Sequence, residues 1–241
     1  MTQLYQENEK ITFIKQQEIL IRLGVIKPVV FDVGANVGQS IIQYKNMFPE
    51  AKLYSFEAND EVMSELKAVA NVYTDVQLFN IALSDAVGET TFFITAVAEA
   101  SSLLEPDPRL RSLSKARKYD FRSATVETTT LDVFCEQYAL EGIDILKIDV
   151  QGAEMKVLHG AKQLLEHGRI KLLYIEVTIA PSYVAQMTLS ELLVFTDACG
   201  YQLWDFFPFL YTRSGRAWTA NAIFIHNTFV EYAETIGETY G

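Results

Sequence analysis

The sequence predicts an α/β protein built on a mostly parallel, doubly wound sheet, and three observations carry that prediction. Val29 to Phe31, after Pro28, is an apolar β-branched run of the kind buried on both faces of a parallel sheet. It runs into a loop holding Gly34 and Gly38, and a helical pattern starts at once with Ile41, Ile42, Tyr44, Lys45 and Phe48. Strand-like and helix-like segments then alternate down the chain. A terminal hairpin adds antiparallel strands, which makes a seven-stranded sheet the expected architecture.

The elements follow in order. Residues 6–23 carry Ile11, Ile14, Ile19 and Leu23 at helical spacing, with Gly24 placed to cap the C-terminus. Leu53 to Phe56 forms the second strand, and Asn59 or Asp60 caps a helix through Met63, Leu66 and Val69. The third strand is expected over Val76 to Leu83, followed by a turn at Asp85 to Gly88 and a strand Glu89 to Ile94 that returns as an antiparallel hairpin. Ala124 to Thr130 alternates as a strand, and Thr130 or Asp132 opens a short helix through Phe134 and Tyr138. Asp144 to Val150 is the fourth central strand, followed by a helix carrying Met155, Leu158, Ala161, Leu164 and Leu165. Lys171 to Val177 is the fifth, Leu189 to Cys199 a helix stopped by Gly200, and Tyr201 to Phe207 with Ala222 to Asn227 the hairpin across Ser214-Gly215.

Composition narrows the classes. A chain of 241 residues, 49% hydrophobic and 12% aromatic, holds one domain (1–241) with a sizeable core. Within it, residues 1–24 read as an N-terminal helical extension. A net charge of −11 argues against a nucleic-acid partner held by phosphate contacts. The N-terminus lacks a basic region followed by an apolar stretch, and no window approaches the ~18 apolar residues of a membrane span. Cys135 and Cys199 are too few for a disulfide framework or a metal cage, so reduced core thiols in a cytoplasmic protein are expected. His159, His167 and His226 show no ligand spacing. Oligomeric state is left open, a homo-oligomer included.

Residues 97–123 break the pattern. They hold Pro106, Pro108 and a basic cluster of Arg109, Arg111, Lys115, Arg117, Lys118 and Arg122. A loop this long in a compact domain is usually functional or mobile. It is read here as the candidate substrate loop, with Ser101 and Ser102 near the mouth of the cleft. Trp204, Phe206, Phe207, Phe209 and Tyr211 form an aromatic run around Pro208, mostly core, from which Asp205 could contribute to an acceptor wall.

The chemistry of the glycine loop is specific. A dinucleotide fingerprint starting at Gly34 needs glycine where Asn36 and Gln39 stand, which disfavours a nicotinamide cofactor. The strand also ends in an acid, Asp32, which repels a pyrophosphate but suits an ammonium or sulfonium group. S-adenosylmethionine (SAM) carries both. A second acid, Glu57, closes the next strand 25 residues later, where it can accept both hydroxyls of a ribose.

The chain resembles the FkbM-type SAM-dependent methyltransferases from about Val29 to Ile225. The resemblance rests on Phe-Asp-Val-Gly-Ala-Asn-Val-Gly (31–38), Ser-Phe-Glu-Ala-Asn (55–59) and Asn-Ile-Ala-Leu-Ser-Asp (80–85). Ser-Ser-Leu (101–103), Thr-Leu-Asp (130–132), Leu-Lys-Ile-Asp-Val-Gln-Gly-Ala-Glu (146–154) and Ala-Ile-Phe-Ile (222–225) extend it. It implies the class I methyltransferase (Rossmann-like) fold and methyl transfer, usually to a hydroxyl of a sugar or small natural product. A protein that keeps the cofactor fold without turnover is the alternative.

Ligands of such sheets lie beyond the carboxyl ends of the strands. Asp32, Gly34, Asn36 and Gly38 are therefore expected at the methionine end of the cofactor, Glu57 at the ribose, and Asn80 with Ala82 or Ser84 at the adenine. Asp149 ends the strand beside the first and is the leading candidate to orient or deprotonate an acceptor hydroxyl, with Glu176 the second. Two such carboxylates also suit Mg²⁺, but a divalent metal is not expected. Glu154, in the first turn of its helix, is read as helix-stabilising.

Overall fold

The computed structural model describes residues 3–109, 120–207, 210–211 and 215–235. Of the sequence expectations, Arg111, Lys115, Arg117, Lys118, Pro208, Phe209 and Ser214 lie outside these residues. Helices are α1 (Gln3–Arg22), α2 (Gln39–Met47), α3 (Met63–Ala70), α4 (Leu131–Gln137), α5 (Glu154–His159), α6 (Lys162–Glu166), α7 (Leu189–Ala198) and α8 (Asn227–Thr235). The central strands are β1 (Val29–Val33), β2 (Lys52–Phe56), β3 (Val76–Phe79), β7 (Ile143–Ile148) and β8 (Ile170–Thr178). The C-terminal ones are β9 (Tyr201–Phe206), β10 (Leu210–Tyr211) and β11 (Ala217–His226). A smaller sheet takes β4 (Ala82–Leu83), β5 (Gly88–Thr95) and β6 (Phe121–Thr129).

The main sheet runs β3-β2-β1-β7-β8-β11, with β9 and β10 both paired to the far side of β11. The first five of these strands are parallel neighbours, and β11 lies antiparallel to β8. Strand order reverses between β1 and β7, which is where α/β sheets open a crevice beyond their carboxyl ends. The expected seven strands are present, and β10 is an eighth among the described residues.

Alternation along the strands divides the core into two layers. Phe31, Val33, Leu146, Ile148 and Ile175 face α4 to α7, while Val30, Leu53, Ile145, Leu172 and Ile223 face α1, α2, α3 and α8. At about 2 kcal/mol for each fully buried large apolar side chain, these layers are the main source of stability.

Several elements depart from the sequence reading. The third strand ends at Phe79 rather than Leu83; Asn80 turns there and donates to the Glu57 carbonyl at 3.0 Å. Ala82 and Leu83 leave the main sheet and pair in parallel with β6. The expected hairpin between that strand and Glu89 to Ile94 is not made. Instead β5 pairs with β6 from Gly88↔Thr128 to Thr95↔Phe121, a far longer ladder than two residues of β4 could offer.

In α1, Ile11 and Ile14 point outward, 50% and 41% exposed, and the buried face is Thr12, Phe13, Gln16, Ile19 and Leu20. Two polar side chains enter the core because partners await them: Thr12 Oγ1 meets Tyr174 Oη at 2.9 Å, and the Tyr44 hydroxyl donates to Gln16 Oε1 at 2.8 Å. Gly24, at φ +72°, ends the helix as expected.

The single helix expected over Met155 to Leu165 is two, broken at Gly160. A Cβ there would stand 2.0 Å from the Ser84 carbonyl oxygen, so the close approach of the β4 exit demands glycine. Thr130 caps α4 as expected, accepting from Val133 N at 3.2 Å. Asp132 caps its neighbour α6 instead, accepting from Gln163 N and Leu164 N at 2.9 and 3.0 Å.

Gly160 has ordinary helical φ, so Gly160→Ala tests that contact without backbone strain. It should lower the unfolding free energy by about 1–3 kcal/mol through overpacking, read as a lower urea midpoint at unchanged slope.

Candidate active site

The site starts from a row of residues across the sheet. Asp32 on β1 lies beside Lys147 on β7, and Lys147 beside Tyr174 on β8. All three face α1 and α2. Asp32 is fully buried; its Oδ1 takes the Lys147 ammonium at 3.0 Å and its Oδ2 accepts from Ser40 Oγ at 2.5 Å. Burial alone would push the ammonium's pKa down, but Asp32, then Asp149 and Glu176, outweigh it and hold Lys147 firmly protonated.

Above this row the glycine loop brings β1 against β7. A Cβ on Gly34, at φ +81°, would fall 1.9 Å from the Asp149 carbonyl oxygen. Asn36 adopts φ +47°, and its N–H donates to Glu57 Oε2 at 2.8 Å. Asn59 N–H donates to Glu57 Oε1 at 2.7 Å. Both carboxylate oxygens are thus oriented by backbone donors and keep acceptor capacity toward the cleft. Burial raises the Glu57 pKa, against the pull of those two N–H groups.

Two residues beyond the row, on the same strands, lies an acid pair. The Gln151 amide donates to Asp149 Oδ1 at 2.9 Å and to Glu176 Oε2 at 2.6 Å, joining the ends of β7 and β8. Gln151 holds φ +55°, and the Tyr183 hydroxyl donates to its Oε1 at 3.4 Å. Glu176 has its pKa raised well above the carboxylate range by burial, then by the charges of Asp149 and Glu154. Glu154 is 1% exposed, accepts Gly152 N–H at 2.9 Å, and is pushed up to about 7, chiefly by burial.

These groups open on one cavity of about 690 Å³, within the size range of small-molecule sites. Gly34, Asn36, Glu57, Ala82, Ser101, Asp149 and Glu176 line it, so the fold brings together most of the residues singled out from sequence. Asp32 and Gly38 stand one layer behind the wall: Asp32 is sealed by Lys147 and Ser40, and Gly38 packs under Val69. Asn80, Ser84, Ser102 and Asp205 also lie off the wall. Ser84 bonds Asp85 at 2.9 Å, Ser102 bonds the Val150 carbonyl at 3.2 Å, and Asp205 accepts Phe206 N–H at 2.8 Å. Of the basic cluster, Arg109 pairs with Asp107 and Arg122 with Glu61, both at 2.5 Å.

Among the wall residues given no site role from sequence are Lys147, Gln151 and Asn221, and Asn59 was read only as a helix cap. A lysine inside an otherwise apolar strand was the legible signal for Lys147. Asn59 is 2% exposed, and its Nδ2 has no partner, which leaves a buried donor in the cavity wall. Asn221 sits opposite Glu176 in the β8–β11 register, and that pairing is set only by the sheet. Among the described residues no group of three or more His, Cys, Asp or Glu side chains is placed to hold a metal ion, and no helix is long and apolar enough to cross a membrane.

The fold, with its cleft at the switch point, is that of the class I methyltransferases. The model of the methyltransferase FkbM domain matches residues 32–203, and the chain belongs to that family. It is 29% identical over 184 residues to the 2-O-methyltransferase NoeI of Sinorhizobium fredii, covering 73% of this chain and 74% of the relative. Magnesium protoporphyrin IX methyltransferase from Synechocystis, solved with bound SAM, shares the fold at a TM-score of 0.51 and 12% identity, over 94% of this chain and 85% of that one. Methyltransferase FkbM from Methylobacillus flagellatus superposes at 0.50 and 14% identity over 83% of this chain, which spans only 44% of that protein.

A pH dependence follows from Glu154. Its native pKa lies above its unfolded one, so the native state binds the extra proton and loses stability as pH rises from about 4.3 toward about 7. Glu154→Gln should flatten that decline by on the order of 2 kcal/mol, measured by urea unfolding at pH 5 and pH 8. Equal slopes in the two proteins would contradict it.

Proposed function

We propose that this chain binds SAM in the cavity and transfers its methyl group to a hydroxyl of a sugar or small natural product. The observation that carries the reading is Glu57. Its carboxylate is held by two backbone N–H groups at the end of β2, the position from which an acid accepts a ribose diol. The unpartnered Asn59 Nδ2 beside it supplies a buried donor for an acceptor atom of the nucleoside. The residues present therefore fit the donor: Gly34 and Asn36 at the loop, Glu57 and Asn59 at the ribose side, Ala82 and Ile81 as an apolar wall.

When bound, SAM supplies an electrophilic methyl group on a sulfonium. The chain's own residues do the rest. The glycine loop lets the backbone come close to the ligand, and the cavity excludes water and fixes the approach of the acceptor. Asp149, with its side chain 38% exposed, and the half-buried Glu176 present oxygens able to take a hydroxyl proton. A carboxylate whose pKa is raised is the stronger base, which suits Glu176 to that step.

The acceptor's charge is constrained as well. Glu57, Glu99, Asp149 and Glu176 line the cavity, and Lys147 is the sole cation of its described wall. That balance repels an anionic acceptor and favours an uncharged hydroxyl compound. The name of NoeI, a 2-O-methyltransferase, supports oxygen as the acceptor atom.

Calorimetric titration with SAM, against NAD as control, tests the reading directly: SAM should bind and NAD should not. Glu57→Ala should weaken SAM by about 100-fold or more, the loss of two charge-assisted hydrogen bonds; unchanged affinity would refute the ribose assignment. Asp149→Asn should keep SAM affinity and lower turnover about 10²- to 10⁴-fold with an active acceptor, measured as kcat.

A further inference from the structure

We propose that Glu176, beside Asp149, holds a proton in the donor-free protein and gives it up when the positively charged methyl donor binds, so that the base is armed only once the donor is in place. This rests on the proposed use of SAM.

The geometry poses the question. One amide, Gln151 Nε2, lies within 2.9 Å of an Asp149 oxygen and 2.6 Å of a Glu176 oxygen, so two carboxyl groups from neighbouring strands flank a single neutral donor. Two carboxylates this close ionise together only if a cation compensates them. The groups facing them do not supply one. Lys147, on β7, reaches Asp149 Oδ2 at 3.8 Å but sits closer to Asp32 on β1, at 3.0 Å, and that carboxylate takes its charge. From α5, the buried Glu154 adds a third carboxyl group. From β11, opposite Glu176, comes the uncharged Asn221, and from the loop before α7 comes the Tyr183 hydroxyl. Glu57 and Glu99 add further acids to the same wall. The cluster lacks a compensating positive charge.

A sulfonium in the cavity makes up that charge. The pair responds by breaking the Glu176 carboxyl O–H bond: the electrons stay on the carboxylate, and the proton leaves to solvent past the half-exposed Asp149. Nothing is oxidised or reduced. When the acceptor oxygen then forms its bond to the methyl carbon and the S–CH₃ bond breaks, the hydroxyl proton passes to the pair. The product sulfur is an uncharged thioether, so the pair keeps that proton until the next donor arrives. One proton reaches solvent per cycle, on donor binding. The device also prevents an ionised base from standing idle in the donor-free cavity.

The test uses the intact protein and needs no acceptor. SAM and S-adenosylhomocysteine share the nucleoside, amino and carboxyl groups and differ by the methyl and its charge. Each is titrated calorimetrically near pH 7 in buffers of different ionisation enthalpy, which counts protons released. SAM should release roughly half to one proton more than S-adenosylhomocysteine, and the difference should shrink toward high pH as Glu176 ionises unaided. Glu176→Gln should still bind SAM and lose the difference; if that variant does not fold, Asp149→Asn should lose it too. Equal proton counts for the two ligands on the unaltered protein overturn the inference. So does a difference that survives Glu176→Gln, or one abolished by Glu154→Gln instead. Absence of SAM binding to the unaltered protein overturns the proposed function itself, a separate outcome from binding with equal counts.

Discussion

The Asp32–Lys147 ion pair is the constraint around which the cleft is arranged. The two side chains are neighbours in register across β1 and β7, on a sheet face packed mainly with apolar side chains. Asp32 is fully buried and Lys147 nearly so, and either one left alone would be an uncompensated charge in low dielectric, a cost of about 3–5 kcal/mol. Their union therefore locks the two strands that part at the switch point. It also draws down the one cation of the described cavity wall, which reaches the carboxyl groups above it only at 3.8 Å, on Asp149.

The electrostatics of the cleft follow from that arrangement. Lys147 is committed downward to Asp32, so Asp149, Glu176 and Glu154 meet one another through Gln151 and backbone N–H groups rather than through a cation. Burial and mutual repulsion then raise Glu176 and Glu154 well above ordinary carboxylates. Such displaced acids cluster where chemistry is done. Glu57 is handled differently: two N–H donors hold its oxygens in a fixed direction, which orients it toward the cavity.

The two ends of the cavity have different origins. The loop, Glu57 and the acid pair come from residues inside the stretch matched to the FkbM domain, 32–203. Phe13 on α1, with Leu210, Trp218, Thr219 and Asn221 around β10 and β11, lines the wall from outside that stretch. α1 is held against this end by buried polar contacts, Thr12 to Tyr174 and Gln16 to Tyr44. The stretch matched to the family thus supplies the carboxyl groups of the cleft, and the flanking elements complete its wall.

What the sequence by itself determined is local. The apolar β-branched runs set the parallel strands, the glycines set the loop, and acids at strand ends marked the cleft, because each of these depends on neighbours within a few residues. Glu57, Asp149 and Glu176 were legible for that reason. Tertiary structure decided everything that needed a partner from elsewhere. The buried face of α1 turned on tyrosines from α2 and β8, and the break at Gly160 turned on the approach of the Ser84 carbonyl. The pairing of β5 with β6 turned on which ladder was longer. Asp32 reads in sequence as a ligand-facing acid; it lies behind the wall because Lys147, far along the chain, falls beside it in register. A charge's role is fixed by what neutralises it, and only the folded sheet supplies that neighbour.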